Sequence, residues 1–280
     1  MESTRRVMAI KYTILIILCI LMMTPVFVAV SGSIRTNGEF MTAPFSWPKN
    51  GINWEHYSRI LFGSSSAQFW RSLKNSLLIT AGVTIINIAL ASMLAFVFTR
   101  VKFPTRTLWF NVLSIGLMFP LVVAILPIFI NMRNLGLLNN LWGVILSMSA
   151  FGLPASVVIL RGFFIAIPTE LEDAAYIDGA STLGFFRHIL IPMARPAIFA
   201  VATIQIIAAW NDFFLALVVL SGAPDKWPLT MGLQQFQAQY GTDWSAIMAY
   251  IVILMIPAII FYLFTQRYIV TGLTGGELKG

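Results

Sequence analysis

Six apolar stretches, separated by more polar segments, dominate this chain of 280 residues. A helix needs about 20 predominantly apolar residues to cross the hydrocarbon core of a membrane, and each stretch reaches that length. The stretches cover about residues 12–31, 73–99, 107–131, 141–161, 197–220 and 246–266. The pattern predicts an all-α integral membrane protein with six transmembrane helices.

The first stretch, 12–31, follows three basic residues and has two interpretations. Ala29-Val30-Ser31 weakly resembles the cleavage site of a secretory signal peptide. However, the apolar run exceeds the roughly 7–15 residues that form the core of such a peptide. We therefore favour a retained transmembrane helix.

Prolines occur within the third, fourth and sixth of these stretches. The third contains Pro120 and Pro127, the fourth contains Pro154 and the sixth contains Pro257. A proline inside a membrane helix kinks it and frees backbone carbonyls, which neighbouring helices or a cavity must satisfy. This pattern is more typical of a helix bundle that moves than of a rigid lipid anchor.

The distribution of basic residues predicts the orientation in the membrane. With the N-terminus inside, eleven of the eighteen Lys and Arg residues lie in cytoplasmic segments, as the positive-inside rule favours. Both termini are then cytoplasmic. The predicted parts are a cytoplasmic N-terminus (1–11), the first helix (12–31), an external loop (32–72), a core of five helices (73–270) with a cytoplasmic loop (162–196) and an external loop (222–245), and a cytoplasmic tail (271–280).

Composition supports this view and excludes several functions. Charged residues make up only 10% of the chain, against about a quarter in soluble domains, and 58% of residues are hydrophobic. The net charge of +7 is explained by basic cytoplasmic loops, so we do not expect nucleic-acid binding. Cys19 is the only cysteine, and His56 and His188 are assigned to opposite sides of the membrane, so neither a disulfide nor a metal site is expected. No Walker A loop and no hydrolase motif occurs, so the chain is predicted to be non-catalytic and to draw energy from a partner or an ion.

Polar residues inside the apolar stretches are candidates for a translocation pathway. The candidates are Asn111, Gln205, Asn211 and Asp212. For the amides, including Asn87, the alternative is an interhelical hydrogen bond, worth about 0.6 kcal/mol on average. Asp212 is the exceptional charge, and it is interpreted either as a helix-end group near the outer interface or as part of a polar route.

The polar segment 168–196 is predicted to form two short helices joined by a glycine. Thr169 and Glu172 have the spacing of a capping box, which assigns Glu172 to holding the start of the first helix. Gly179 suits the left-handed position that ends a helix. Ser181 can then cap the second helix.

The second helix is amphipathic, since Leu183, Phe186 and Leu190 fall on one face, and Pro192 is expected to stop it. One interpretation is a helix pair lying on lipid. Such helices usually present Lys and Arg, whereas the first helix here begins with acidic residues. We therefore favour a docking element for a partner protein.

The same segment resembles a known family. Asp173-Ala174-Ala175, then Gly179 after three residues, then Ile189-Leu190-Ile191-Pro192 after nine more, is similar to the EAA loop of binding-protein-dependent ABC importer permeases, in particular the carbohydrate-uptake, MalG-like branch. Asp173 stands where the family has Glu, and Ile191 where it has Leu.

Other parts of the chain resemble this family as well. Asn75-Ser76 opens the second stretch, Trp210-Asn211-Asp212 lies in the fifth, and the segment from Gln266 to Gly276 is similar to the family's ending. The last residues, Gly276-Glu277-Leu278-Lys279-Gly280, differ from the usual Gly-Ala-Val-Lys-Gly at their middle positions.

The resemblance implies an assembly in the bacterial cytoplasmic (inner) membrane. This chain and a second permease subunit would form the pore within the lipid, two ATPase subunits would bind ATP and magnesium below it, and an extracytoplasmic solute-binding protein would deliver a sugar. No cofactor is implied for this chain. The residues implied to dock the ATPase are Glu172, Asp173, Ala174, Ala175, Asp178, Gly179, Ala180, Phe186, Ile189 and Pro192. The residues implied to contact the binding protein are Gln234, Gln235, Gln237 and Tyr240.

Two alternatives remain open at this point. One is an ABC permease for another solute, such as a polyol or glycerol phosphate. The other is an ion-coupled secondary transporter, which would work without an ATPase and would depend on Asp212.

Overall fold

The computed structural model describes residues 2–49, 51–238 and 241–274. Over these ranges the regular structure is helical except for one short antiparallel pair, β1 (Gln237–Ala238) and β2 (Gly241–Thr242). The helices are α1 (Glu2–Ser33), α2 (Asn37–Thr42), α3 (Glu55–Leu61), α4 (Ser66–Arg100), α5 (Arg106–Ile115), α6 (Leu121–Asn134), α7 (Leu141–Ala166), α8 (Glu170–Ile177), α9 (Thr182–Phe185), α10 (Ile191–Met193), α11 (Arg195–Asn211), α12 (Phe214–Leu220), α13 (Leu229–Gly232) and α14 (Trp244–Thr274). The prediction of a helical fold is confirmed.

Four helices are long and apolar enough to cross a membrane without interruption. They are α1 over Val7–Ser33, α4, α7, and α14 over Trp244–Phe264. Two further candidates are bent helix pairs, Arg106–Met118 with Leu121–Asn134 and Thr182–Met193 with Arg195–Asn211. The described chain therefore has four to six candidate spans.

The third apolar stretch does not form the continuous helix expected over 107–131. A 3₁₀ turn at Gly116–Met118 follows α5, and α6 leaves this turn at an angle of 108° to the first half. The cause is Pro120, which disfavours the helical conformation at the preceding residue; Phe119 is accordingly extended, with φ −83° and ψ 114°. Pro127 lies within α6, and Pro154 and Pro257 lie within the uninterrupted helices α7 and α14.

The fifth apolar stretch, expected as one helix over 197–220, is also divided. Helix α11 ends at Asn211, and α12 begins at Phe214 after two non-helical residues. Asp212 is in the extended conformation, with φ −66° and ψ 131°, which ends the helical path.

At the C-terminal end, α14 extends through Thr274, so it includes the first residues of the predicted tail 271–280. Residues 275–280 lie outside the described residues. At the other end, the predicted external loop 32–72 contains α2, α3 and the start of α4.

The chain divides into two compact units. The first comprises Met1–Trp70 and Gly232–Pro257, and the second comprises Arg71–Met231 and Ala258–Gly280. In the first unit, a buried arginine orders the loop that follows α1. The Arg35 guanidinium donates to the backbone carbonyls of Ser31, Ala43 and Pro44 at 3.0, 2.7 and 2.9 Å. Its own carbonyl lies 3.0 Å from Nε2 of the buried His56.

The second unit contains two buried apolar clusters at different levels of the same helices. The first cluster comprises Ala91, Ala95, Phe96, Phe98, Val157, Leu160, Phe164, Ala175, Phe185, Leu190, Ala194, Ala197 and Val201. The second cluster comprises Ile79, Val83, Met132, Val144, Ile145, Met148, Ala209, Leu215, Ala216, Val219, Leu220 and Met231. Helices α4, α7 and α11 contribute to both clusters, so they form the frame on which the shorter helices pack.

A buried polar layer separates the two clusters along this frame. Asn87 Nδ2 donates to the Ser149 carbonyl at 2.9 Å, and Gln205 Nε2 donates to Ser156 Oγ at 3.0 Å. Both amides pack onto Gly152, where a Cβ would lie only 2.7 Å from Gln205 Oε1 and 3.2 Å from Asn87 Nδ2. The glycine therefore allows close approach of the three helices at this level.

Candidate functional site

The polar segment 168–196 folds as the predicted helix, glycine joint and second helix. Gly179 has φ +81°, and its N–H donates to the Tyr176 carbonyl at 3.1 Å. The Ala180 N–H donates to the Ala175 carbonyl at 2.9 Å. These two bonds form a Schellman motif, which satisfies carbonyls at the end of α8. The predicted left-handed helix end at Gly179 is confirmed.

The start of the second helix is also as predicted. Ser181 is in an extended conformation, with φ −76° and ψ 164°, and its hydroxyl accepts a hydrogen bond from the Gly184 N–H at 3.1 Å. The helix then buries Phe185 and Leu190 in the first apolar cluster. The serine cap and the buried apolar face thus both help to position this helix against the frame.

The second helix does not stop at Pro192, contrary to the prediction. Residues Phe186–Leu190 form a π-helical turn, in which the Ile191 N–H bonds to the Phe186 carbonyl. Pro192 occupies one of the first two positions of the short helix α10, where its missing N–H requires no helical partner. The break comes two residues later, at Ala194, and α11 turns away by 75°.

The predicted capping box at Thr169 and Glu172 is wrong. Thr169 already has helical angles, with φ −71° and ψ −24°, and its side chain makes no capping hydrogen bond. A capping side chain normally requires an extended backbone at that position. The Glu172 carboxylate is instead directed to an arginine from another helix.

That arginine is Arg100, the last residue of α4, which sequence reasoning did not connect to this site. Arg100 Nη1 lies 3.3 Å from Glu172 Oε2, and the two side chains are only 4% and 14% exposed. Arg100 Nη2 also donates to the carbonyls of Phe164 and Ile167 at 2.9 and 2.6 Å. The position of Arg100, a single basic residue at the end of a long apolar helix, indicated that it needs polar partners. Nothing in the sequence identifies those partners.

The residues that were implied to dock a partner differ in their exposure to solvent. Asp173, Ala174, Asp178 and Gly179 are exposed, whereas Ala175 is buried. Phe186 and Ile189 are half-buried and pack against the first apolar cluster. Glu172, Ala180 and Pro192 are also only partly exposed.

The most exposed apolar side chains of the helix pair were not among the predicted docking residues. Ile177, at the end of α8, is 86% exposed, and Leu183, in α9, is 71% exposed. Fully burying an apolar side chain of this size is worth about 1.5–3 kcal/mol, so leaving these two side chains exposed forgoes a comparable stabilisation. The amphipathic spacing placed Leu183 on the same face as Phe186 and Leu190, and this prediction is wrong for Leu183, which the structure exposes.

The pathway candidates lie in different environments. Asp212 accepts hydrogen bonds from the backbone N–H groups of Leu215 at 3.4 Å and Ala216 at 3.0 Å, so it acts as the cap of α12. Its backbone carbonyl accepts from Thr230 Oγ1 at 2.6 Å. Of the two interpretations of Asp212, the geometry supports the helix-end group.

The amide candidates also differ from one another. Gln205 is buried in the polar layer, which supports the interhelical hydrogen bond as its role. Asn211 is exposed and donates to the Ile207 carbonyl of its own helix at 2.9 Å. Asn111 is exposed on α5. The structure therefore does not bring the four candidates together in one polar cluster.

The predicted binding-protein contacts lie in and around the short β1–β2 pair of the first unit. Gln234 is half-buried and Gln235 is exposed, and Gln237 belongs to β1. Tyr240 lies outside the described residues. The geometry leaves Gln235 the most accessible of the residues whose side chains are described.

Next to this strand pair, Asp243 holds two parts of the first unit together. Its carboxylate accepts from Arg59 and from the Ala246 N–H, and it lies 3.9 Å from His56 Nδ1. Partial burial raises the pKa of Asp243, but the hydrogen bonds from Arg59 and Ala246 and the electrostatic influence of His56 and Arg59 outweigh it, so the pKa is below its ordinary value. Over the described residues, no group of three or more His, Cys, Asp or Glu side chains is arranged to hold a metal ion.

Comparison with known sequences identifies relatives along almost the whole chain. Residues 87–275 match the family model described as "Binding-protein-dependent transport system inner membrane component". The diacetylchitobiose uptake system permease protein NgcG of Streptomyces coelicolor is 34% identical over 280 residues, covering 99% of this chain and 91% of that protein. The trehalose/maltose transport system permease protein MalG of Thermococcus litoralis is 33% identical over 281 residues, covering 100% of this chain and 99% of that protein.

The fold is similar to that of solved transporters. A chain of a bacterial ABC transporter involved in the import of the acidic polysaccharide alginate superposes with a TM-score of 0.83 at 25% identity, covering 96% of this chain and 98% of that chain. A chain of an alginate transporter in complex with its pentasaccharide-bound periplasmic protein gives a TM-score of 0.70 at 14% identity, covering 95% and 94%; this second likeness concerns the fold alone.

Proposed function

This chain belongs to the binding-protein-dependent transport system inner membrane components, which are non-catalytic permease subunits of ABC transporters, and from that membership we propose that it forms half of the pore of an ATP-driven carbohydrate importer. A second permease subunit supplies the other half. Two ATPase subunits bind ATP and magnesium, and an extracytoplasmic binding protein delivers the solute. The observation that carries this proposal is the match to relatives over almost the full length of the chain.

The proposed substrate class is a sugar, either an oligosaccharide or a related carbohydrate. It is supported by the names of NgcG and MalG, which refer to diacetylchitobiose and to trehalose and maltose. A second candidate is a smaller compatible solute such as a polyol, because the osmoprotective compounds uptake permease protein GgtD of Synechocystis is 37% identical over 205 residues, or 73% of this chain and 69% of that protein. A thermal-shift screen of the cognate binding protein decides between them: stabilisation by oligosaccharides alone supports the sugar, and stabilisation by polyols alone contradicts it.

The proposed topology has six membrane spans with both termini in the cytoplasm. Four uninterrupted helices, the bent pair Arg106–Met118 with Leu121–Asn134, and α11 with α12 as the fifth span support six spans. The excess of Lys and Arg in alternate segments supports the orientation. In this topology α8 and α9 lie at the cytoplasmic surface, and α2, α3 and the β1–β2 pair lie outside.

We place ATPase docking on the exposed surface of α8 and α9, with Ile177 and Leu183 as apolar anchors and Asp173 and Asp178 beside them. A short helix that presents apolar side chains between acidic ones suits a groove on a partner protein. Replacing Ile177 with Asp should reduce ATPase co-purification at least about tenfold, because a charge would enter an apolar contact. Phe62→Asp is the matched control, since Phe62 is 81% exposed in the proposed external loop. Equal ATPase recovery with both variants would refute docking at this surface.

Uptake by proteoliposomes tests the energy source. We expect substrate uptake to require the binding protein outside and ATP on the ATPase side, and to persist when the proton gradient is collapsed. Uptake driven by a proton gradient without ATP, and abolished by Asp212→Asn, would favour the ion-coupled alternative. Membership in an ABC permease family and the capping role of Asp212 both argue against that outcome.

A further inference from the structure

Arg100 joins the ends of three helices in the second unit. It is the last residue of α4, and its Nη2 donates to two carbonyls at the end of α7, those of Phe164 and Ile167. The last carbonyls of a helix have no partner within the helix. For Phe164 the cause is specific, because the residue four positions later is Pro168, which has no N–H. The guanidinium therefore caps the C-terminal end of α7. Its positive charge also interacts favourably with the negative end of the α7 helix dipole.

The same guanidinium reaches the first turn of α8. Arg100 Nη1 pairs with Glu172 Oε2 at 3.3 Å, and Glu172 Oε1 accepts a hydrogen bond from the Tyr176 hydroxyl at 3.0 Å. Both members of the ion pair are largely shielded from solvent. Screening by salt is weak for such a pair, so its attraction is largely retained at physiological ionic strength.

Few other contacts fix α8 to the rest of the unit. Ala175 is its buried residue, and the Tyr176 ring lies 6.2 Å from the Phe185 ring. An eight-residue helix is not stable alone, and Gly179 gives its C-terminal end a joint rather than a rigid continuation. The ion pair near its N-terminal end is therefore the main polar attachment of α8 to α4 and, through Arg100, to α7.

We propose that Arg100 is a positioning residue, which fastens α8 to the ends of α4 and α7 so that a displacement of α8 is transmitted to these two long helices. The proposal rests on the proposed function, in which the ATPase moves α8. Without the ion pair, α8 could still dock the ATPase through Ile177 and Leu183, but its movement would be absorbed at Pro168-Thr169 and at Gly179. Docking would persist while coupling between ATP hydrolysis and transport would weaken.

The first test needs only the purified permease. Amide hydrogen exchange of residues 169–178 should become about tenfold faster in Arg100→Gln than in the parent chain, because the attachment of α8 is lost while α4 and α7 stay folded. Arg100→Lys should give an intermediate rate, since an ammonium keeps one of the three contacts. Lys102 is exposed and lies two residues after Arg100. Lys102→Gln removes one positive charge there and should leave the exchange rate of residues 169–178 unchanged. Unchanged exchange in Arg100→Gln would overturn the proposal.

The second test uses the full importer with its binding protein. Arg100→Gln should lower the number of substrate molecules transported per ATP by about tenfold, a larger fall than that in ATP hydrolysis itself, as expected for a loss of coupling free energy. A purely structural role would lower both rates together. The exchanged pair Arg100→Glu with Glu172→Arg should recover part of the ratio, and Glu172→Gln provides a milder variant if Arg100→Gln does not fold. An unchanged transport-to-hydrolysis ratio in these variants would contradict the proposal.

The two proposals fail differently. If α8 is not the docking surface, Ile177→Asp leaves ATPase co-purification intact, while the exchange measurement on the isolated permease still reports the attachment. If the attachment is absent, exchange in residues 169–178 does not respond to Arg100→Gln, although Ile177→Asp still releases the ATPase.

Discussion

Two carboxylates at two helix breaks of the second unit have different kinds of partner. Glu172, at the start of α8, has the spacing of a cap but forms a buried ion pair with Arg100. Asp212, between α11 and α12, lies in an apolar stretch and was a pathway candidate, yet it caps α12 through two backbone N–H groups. A buried carboxylate must be paired or hydrogen-bonded. Which partner it has depends on the groups that the fold places next to it.

The comparison also separates a static role from a proposed moving one. The cap at Asp212 joins residues that are close in sequence, so it stabilises one turn of one helix. The pair at Glu172 joins α8 to α4, far away in sequence, and through Arg100 to the end of α7. A long-range contact of this kind can transmit a displacement, whereas a local cap cannot.

The largest expected effect comes from removing one member of the ion pair. Glu172→Leu should lower the free energy of unfolding by about 3 kcal/mol, because it leaves Arg100 buried without a counterion. Denaturation of the detergent-purified permease, followed by tryptophan fluorescence, measures the change. The double variant Glu172→Leu with Arg100→Met should recover most of the stability, since an apolar pair of similar volume is often neutral. A loss under about 0.5 kcal/mol in the single variant would show that the pair is solvated like a surface salt bridge.

The second effect distinguishes a cap from a pathway group at Asp212. Asp212→Ala should cost about 1 kcal/mol of stability, the usual loss for a capping side chain, whereas Asp212→Asn should retain most of it because Asn also caps helices. Asp212→Asn removes the charge but keeps the cap. If Asp212 acts only as a cap, transport by this variant should stay within about twofold of the parent. If Asp212→Asn folds normally but no longer transports, the negative charge itself has a function and the capping account is incomplete.

A third test concerns Gly179, the left-handed glycine that ends α8. The break at Asp212 between α11 and α12 has no such glycine. Gly179→Ala should destabilise the protein by about 1 kcal/mol, because φ of +81° is strained for a residue with a Cβ. No atom lies within 4 Å of that Cβ, so the cost comes from the backbone alone. Gly162→Ala is the matched control, since it also has open space but has no positive φ; its stability should be equal or slightly higher. Equal effects at both glycines would show that the joint relaxes out of the left-handed conformation.

The smallest effect is expected at Asp243, a carboxylate that has both an arginine and a backbone N–H as partners. Asp243 accepts from Arg59 and from the Ala246 N–H, and its pKa is lowered in the folded state. Its contribution to stability is therefore complete above the unfolded pKa, about 3.9, and is lost as pH falls through the lower folded pKa. We expect less than about 1 kcal/mol, because the pair is partly exposed. The fall in unfolding temperature between pH 5 and pH 3 should be smaller in Asp243→Asn; an identical fall would assign the pH dependence to other carboxylates.

Local patterns in the sequence predicted local structure well. The glycine that ends α8 and the serine that caps α9 follow from backbone preferences that act within a few residues, and both are as expected. The presence of apolar helices follows equally from composition. Pro120 was recognised as a kink, but the size of the turn depends on how α6 packs in the folded chain, which the sequence does not show.

Contacts between distant residues were not predictable in the same way. Arg100 and Glu172, or Asn87 and the Ser149 carbonyl, meet only because α4 and α7 pack side by side. A capping box and an ion pair also compete for the same glutamate, and the sequence alone contains no measure of which partner is nearer. The exposure of Ile177 and Leu183 was not predicted for a related reason, since exposure depends on what the remaining helices cover.

The most direct test of the central claim, that α8 is the surface that meets the ATPase, is site-specific cross-linking. Cys19 is the only cysteine, so a Cys19→Ser chain allows a single cysteine to be placed at Ile177 or, as the control, at Phe62. Both positions are more than four-fifths exposed in the single chain. A photoactivatable maleimide reagent in the assembled importer should join position 177, and not position 62, to an ATPase subunit. An ATPase adduct at neither position, or equally at both, would contradict the account.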